Sequence, residues 1–384
     1  MSTWQIRGKE KKEKETTNNN QRRRISGRNN KIFTTNNTRI FQMSIWNRVI
    51  FFVAFLFLVG RLNASIGDSN PLYRSCLEQC EATGCIGDRC FQDCLSSDIG
   101  SNNGSESVQK PFYMQFIQWD CQSECRYHCM LERERDNEML GLGPVKYHGK
   151  WPFRRVLWIQ EPMSVVFSVC NLAMHYLGWI SFCSLLYTKL PLRPKDRKPY
   201  YEYSLLWHAY AILAMNSWFW SAVFHMRDLD LTEKLDYSSF VALLGFGLIV
   251  AILRTFSVRD EASRVMVAAP LIAFLTTHIL YLNFYKLDYG LNMKVCLSMG
   301  VAQLLLWAIW GGLSRHPSRG KLLTVVVGTS LAMLLEIYDF PPYKGYIDAH
   351  ALWHATTIPL TYLWWSFIKD DAQFRTSNLT KKVK

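Results

Sequence analysis

The chain has 384 residues, 49% of them hydrophobic, a mean hydropathy of −0.04 and a formal net charge of +13. These averages would suit a soluble protein, but they hide a polar N-terminal third followed by an apolar remainder. Residues 1–42 alone hold eleven Lys/Arg against three Glu, so the charge excess is local and no nucleic-acid partner is expected.

In chain order, residues 1–42 read as a disordered basic extension, rich in Asn and in Lys and Arg. Residues 43–65 then have the layout of a signal peptide. A short positive lead ends at Arg48, an apolar run covers Val49 to Gly60, and Asn63-Ala64-Ser65 offers small residues for cleavage. The run is short for a membrane span, though an anchor helix is the alternative, and the start can be Met1 or Met43.

Residues 66–150 form a luminal cysteine-rich domain. It carries Cys76, Cys80, Cys85, Cys90, Cys94, Cys121, Cys125 and Cys129. An even number after a signal sequence predicts about four disulfides in an oxidising compartment. The spacings 76/80, 90/94 and 121/125/129 place each set on one helix face, which predicts short helices stapled together. The pairing is not readable. A zinc site using His128 beside Cys125 and Cys129 is the weaker alternative. Asn103, in Asn103-Gly104-Ser105, is a glycosylation candidate.

Residues 151–370 read as a seven-transmembrane helix bundle, an all-α membrane fold, with apolar stretches near 161–187, 200–226, 235–256, 264–285, 291–313, 320–338 and 348–368. The alternating loops that include the C-terminal tail hold sixteen Lys/Arg, and the other loops hold five. The basic set belongs in the cytosol, which puts the cysteine domain in the lumen, as its disulfides require. Residues 371–384 form a cytosolic tail. Its Lys381-Lys382-Val383-Lys384 resembles a dilysine retrieval signal of endoplasmic reticulum membrane proteins, a candidate for coat-protein binding.

Ionisable residues inside spans are costly and so mark candidate sites. Ser221 and His225 lie one turn apart at the luminal end of the second span. Asp236 begins the third, and His350 and His354, again one turn apart, begin the seventh. Three histidines at one depth suit a Zn2+ site with an open position for water, where the metal makes that water a nucleophile near neutral pH. Asp236 could hold the water and take its proton, and Ser221 could steady an oxyanion or orient a ligand. Glu336 and Asp339 lie at the same depth and could buttress the ligands. His175, His208 and His278 read as packed histidines, and Cys170, Cys183 and Cys296 as small buried residues.

At these residues the chain resembles the post-GPI-attachment-to-proteins factor 3 family. The likeness rests on Phe224-His225-x-Arg227-Asp228, Thr232-Glu233-Lys234-Leu235-Asp236-Tyr237, Glu336-x-x-Asp339-Phe340-Pro341-Pro342, Asp348-Ala349-His350-Ala351-Leu352-Trp353-His354, and Cys121-x-x-x-Cys125-x-Tyr127-x-Cys129-Met130. It covers about residues 65–370. The family is similar to alkaline ceramidases and adiponectin receptors, whose zinc sites use a Ser, an Asp and three His. The resemblance implies GPI-anchor lipid remodelling by a phospholipase A2-type cleavage of the sn-2 acyl ester. Its partners would be GPI-anchored proteins and membrane lipid, in the endoplasmic reticulum or Golgi. A ceramidase-like amidase and a non-enzymatic cargo receptor or chaperone remain as alternatives.

Overall fold

In the computed structural model, residues 66–91, 94, 119–194 and 197–383 are described. The basic extension, the signal peptide and Asn103 lie outside them.

The cysteine domain is built on two antiparallel helices. Helix α1 (Pro71–Thr83) starts where the Asn70 side chain accepts from the Leu72 and Tyr73 amides, with proline at the first helical position, and ends at Gly84 with φ 70°. Helix α2 (Cys121–Met139) is capped by Asp120, which accepts from the Ser123 amide. The i, i+4 cysteines of each helix face those of the other, so two disulfides form rungs, Cys76–Cys129 and Cys80–Cys125. Cys90 and Cys94 do not share a helix. Cys90 lies on the second strand of a small hairpin, β1 (Cys85–Ile86) and β2 (Arg89–Cys90), and is spent closing it through Cys85–Cys90. The fourth bridge, Cys94–Cys121, ties the next segment to the start of α2. With both cysteines beside it oxidised, His128 has no thiolate partners. It pairs with Glu124 at 3.3 Å and stacks on Phe91.

Seven long helices follow among the described residues. They are α3 (Pro162–Ser184, continued by a π-helical turn, Leu185–Lys189), α4 (Ser204–Met226), α5 (Asp230–Thr255), α6 (Glu261–Phe284), α7 (Tyr289–Leu313), α8 (Arg319–Tyr338) and α9 (Ala349–Val383). Five of them, α3 with its π turn and α5 to α8, are long and apolar enough to cross a membrane. Helices α4 and α9 are not in that group, and they carry His225, His350 and His354. Neighbouring packs run α3–α4–α5–α7–α8–α9 and back to α3, a closed cycle, with α6 against α5.

The pattern within α3 is inside-out relative to a soluble helix. Ser164, Ser168, Asn171 and His175 repeat at helical spacing and are buried, while Val166, Val169, Leu177 and Ile180 are exposed. Such a helix gains from an apolar solvent outside and polar partners within. Gly178 lets α3 approach α9 closely, since a Cβ there would collide with the Trp365 indole. Cys296 is buried as expected, but Cys170 is exposed on the outer side of α3. As Cys170 is four residues from Val166 and seven from Leu177, the helical period puts it on their outward face.

Helix α9 does not stop near residue 370. It runs on to Val383 because its last turns are anchored. Asp371 is 2% exposed and pairs with Arg254, and Arg375 forks onto Glu202 at 3.0 and 3.1 Å. Lys381 and Lys382 therefore lie on its final turns.

The segment between the cysteine domain and α3 is tied to the bundle by polar contacts. Arg155 donates to Glu124 at 2.9 Å and its guanidinium stacks on Trp119, which also receives Arg227. Trp151 Nε1 donates to Asp339 at 2.8 Å, Lys146 also pairs with Asp339, and the Arg154 amide donates to Gly345. These contacts hold the cysteine domain at the end of the bundle where α3, α5 and α9 begin.

Candidate metal centre

Two helix ends meet at this place. The last turn of α4 brings His225, and the first turns of α9 bring His350 and His354. One ligand atom from each lies within 4.8 Å of the other two. His225 and His354 are 3% and 1% exposed, whereas His350 is partly open, so the trio has one accessible side.

The second nitrogen of every ring is held. His225 Nδ1 donates to Glu161 Oε2 at 2.7 Å, and His350 Nδ1 donates to Glu336 Oε2 at 2.8 Å. His354 Nδ1 is 3.0 Å from Ser168 Oγ. The Ser168 hydroxyl gives its own proton to the Ser164 carbonyl at 2.8 Å, so His354 must be the donor. With Nδ1 protonated on all three rings, each Nε2 carries a bare lone pair. His350 Nε2 and His354 Nε2 face each other at 2.9 Å. Two lone pairs at that distance repel, and a cation between them removes the repulsion. Three neutral imidazoles with carboxylate or hydroxyl partners on their far nitrogens are the donor set that zinc and similar ions take. The residues fit the metal that the sequence suggests.

The other expected residues divide. Ser221, 7% exposed, sits 3.1 Å from Ser168 Oγ and so joins the His354 side of the site. Asp236, near the start of α5, is within electrostatic range of His225 and His350. Glu336 is the partner of His350. Asp339 is elsewhere, occupied with Lys146 and Trp151 in holding the cysteine domain. His175, His208 and His278 are hydrogen-bonded within the bundle, to Trp365, Trp179 and Asn292. Of the eight cysteines expected in disulfides, all pair, so the cluster of Cys94, Cys121 and Cys125 has no thiolate to offer a metal.

Three residues of the site escaped sequence reading: Glu161, Ser168 and Lys150. Glu161 lies just before Pro162 and orients His225. Its other oxygen accepts from Lys150 Nζ at 3.0 Å, and Lys150 also reaches Asp228 at 2.9 Å. Burial works against the Glu161 charge, but Lys150 and His225 outweigh it and hold the carboxyl well below the usual carboxylate range. Burial likewise opposes the Lys150 charge, and Glu161 and Asp228 overcome it, raising that ammonium above its ordinary value. The signal for Glu161 was present, as a carboxylate opening an apolar stretch at the depth of the histidines. Ser168 carried none, because an isolated serine in a membrane helix is ordinary.

The comparisons with known proteins agree in one direction. The Per1-like family signature matches residues 111–372. The chain is 35% identical to "GPI-specific phospholipase A2-like PGAP3" of Danio rerio over 326 residues, 84% of this chain and 96% of that one. It is 34% identical to the Homo sapiens protein of the same name, covering 84% and 94% of the two chains. It is 34% identical to "Protein PER1 homolog" of Schizosaccharomyces pombe, covering 88% and 97%.

Proposed function

This chain belongs to the Per1-like family, and on that premise we propose that it remodels GPI anchors as a zinc-dependent hydrolase, cleaving the sn-2 acyl ester of GPI-anchored proteins. The observation that carries the reading is the histidine trio, with all three Nδ1 atoms engaged and one ligand atom of each ring within 4.8 Å of the other two. The names of the relatives supply the lipid.

Zinc, when bound by this set, supplies a Lewis acid and an activated water. The chain's own residues do the rest. Glu161, Glu336 and Ser168 keep the imidazoles in the metal-binding tautomer and fix their ring planes. Asp236, within electrostatic range of His225 and His350, is the carboxylate we assign to accept the proton of the attacking water and later return it to the departing alcohol. Ser221 donates its proton to Ser168 Oγ at rest, and its hydroxyl can turn from there to the charge that develops on the ester oxygen. The partly open side at His350 is the approach for the lipid.

We place the centre at the luminal face of an endoplasmic reticulum or Golgi membrane, in a bundle of seven spans. Disulfides need an oxidising compartment, and the cysteine domain is held at the same end of the bundle as the histidines. The strongly basic loops at the other end belong in the cytosol. Ester bonds of a GPI lipid in the luminal leaflet lie near the depth of helix ends at that face.

The test is an assay of purified full-length protein with a diacyl GPI-anchored protein and, separately, with ceramide. The expected products are the sn-2 fatty acid and a lyso-GPI protein, with ceramide intact. Ceramide cleavage with the GPI lipid untouched would assign an amidase instead. Tight binding of the GPI protein with neither substrate cleaved would assign a cargo receptor.

A further inference from the structure

The opposite end of the bundle holds a second feature that the histidine centre does not use. A recess of about 590 Å³ opens between the C-terminal parts of α5, α7 and α9. Arg254, Arg259, Arg315, His316, Arg375 and Lys381 line it, and the lining includes no carboxylate.

Its charges are only partly balanced. Asp371, behind the recess, accepts from Arg254 Nε at 2.8 Å, and Tyr201 adds its hydroxyl to the same carboxylate at 2.6 Å. Glu202 serves Arg375 and, at 3.4 Å, Arg259. Arg315 and Lys381 make no ion pair among the described residues. Two buried polar atoms of the wall also lack hydrogen-bond partners. They are Ser314 Oγ and His316 Nε2, the latter on a side chain 3% exposed overall and 3.5 Å from the nearest Asp371 oxygen. The arginines on the inner wall are fixed by their carboxylates, and the outer cations Arg315 and Lys381 are uncommitted.

The depth of the recess identifies the surroundings. Asp236 and Arg254 belong to one continuous helix, α5, and their separation in sequence corresponds to about 27 Å of rise. That is close to the thickness of a bilayer's hydrocarbon core, about 30 Å. With the histidine end at one membrane face, the recess lies at the headgroup level of the other. Trp310 and Phe374 add an apolar wall beside the cations. Basic pockets between helices at such a level suit phosphorylated lipid headgroups. Fixed arginines suit phosphate oxygens, which they can contact in pairs.

We infer that this recess is a binding site for a phosphorylated anionic lipid of the leaflet opposite the histidine centre, with the phosphate held between Arg315, Lys381 and the inner arginines. The site is separate from the hydrolytic one and does not depend on what that centre cleaves.

The test is lipid retention by the purified full-length protein in native mass spectrometry, with phosphatidylinositol 4-phosphate, phosphatidylcholine and inorganic phosphate offered separately. The wild type should retain the phosphoinositide over phosphatidylcholine. The variant carrying R315A and K381A together should lose roughly tenfold or more of that retention, the scale of two lost contacts between basic side chains and an anionic headgroup. Both side chains are exposed and unpaired, so melting temperature and metal content should not move. An independent R315E variant should show the same direction of change. Equal retention of phosphatidylcholine, or wild-type retention by both variants, overturns the proposal. Inorganic phosphate displacing the lipid at equal concentration would mean a free-anion site and overturns it too.

Discussion

Replacing His350 with alanine is expected to abolish lipid remodelling while the protein still folds and reaches its membrane. The side chain is partly exposed. What disappears is one of the three proposed metal ligands, together with the task of Glu336, which holds His350 Nδ1 at 2.8 Å. Removing even a partner of a ligand commonly weakens metal binding 10- to 100-fold, roughly, and removing the ligand itself costs more. Turnover of the sn-2 chain should fall at least about a thousandfold, the scale of losing a group that acts in the transition state. Cells lacking the natural protein and expressing the variant would be assayed for sn-2 chain exchange on a GPI-anchored reporter. Unchanged exchange would show that the histidine trio is not the reactive centre.

Replacing Asp371 with alanine is expected to destabilise the protein more than any loss at the metal centre. Asp371 and Arg254 are 2% and 3% exposed, and the carboxylate also takes the Tyr201 hydroxyl, which in turn accepts from Trp207 Nε1 at 2.9 Å. Cutting the carboxylate away strands a buried guanidinium, at a cost of about 3–5 kcal/mol. The melting temperature in detergent should drop sharply. Replacing Arg254 by methionine in the same chain should recover much of it, because the stranded charge is then gone. Metal content should survive in whatever fraction remains folded, because the pair lies about one bilayer thickness from the histidines. A single variant as stable as wild type would mean that the cluster does not anchor α9.

Much of the architecture was legible because membranes impose simple rules. Apolar stretches of about twenty residues placed the starts of all seven long helices to within about five residues. The i, i+4 cysteines of α1 and α2 also placed each set on one helix face, but which cysteine pairs with which came from the packing of the two helices. Cys90 and Cys94 misled because helical spacing is a statement about a helix, and Cys90 lies in a hairpin instead. The end of α9 was misread for a related reason. Hydropathy stops where Lys369, Asp370 and Asp371 begin, yet Asp371 and Arg375 find buried partners on α5 and at Glu202, and those partners are distant in sequence. At the candidate site, the sequence suggested one depth for Ser221, His225, Asp236, His350 and His354, and the three histidines do lie together. Glu161 and Ser168 were not singled out, because their value depends on which ring nitrogen they face, and only the packing of α3 against α4 and α9 sets that. Asp339 shared the depth of the site but turned toward the cysteine domain, since depth fixes height along a helix and not direction around it.

The most direct test of the account is the metal content of purified full-length protein, measured by plasma mass spectrometry after extensive dialysis. The histidine trio predicts about one zinc per chain, lost on prolonged chelation and restored by added zinc. Protein that hydrolyses its lipid in full while holding no metal above trace would contradict the reading of His225, His350 and His354 as a metal centre.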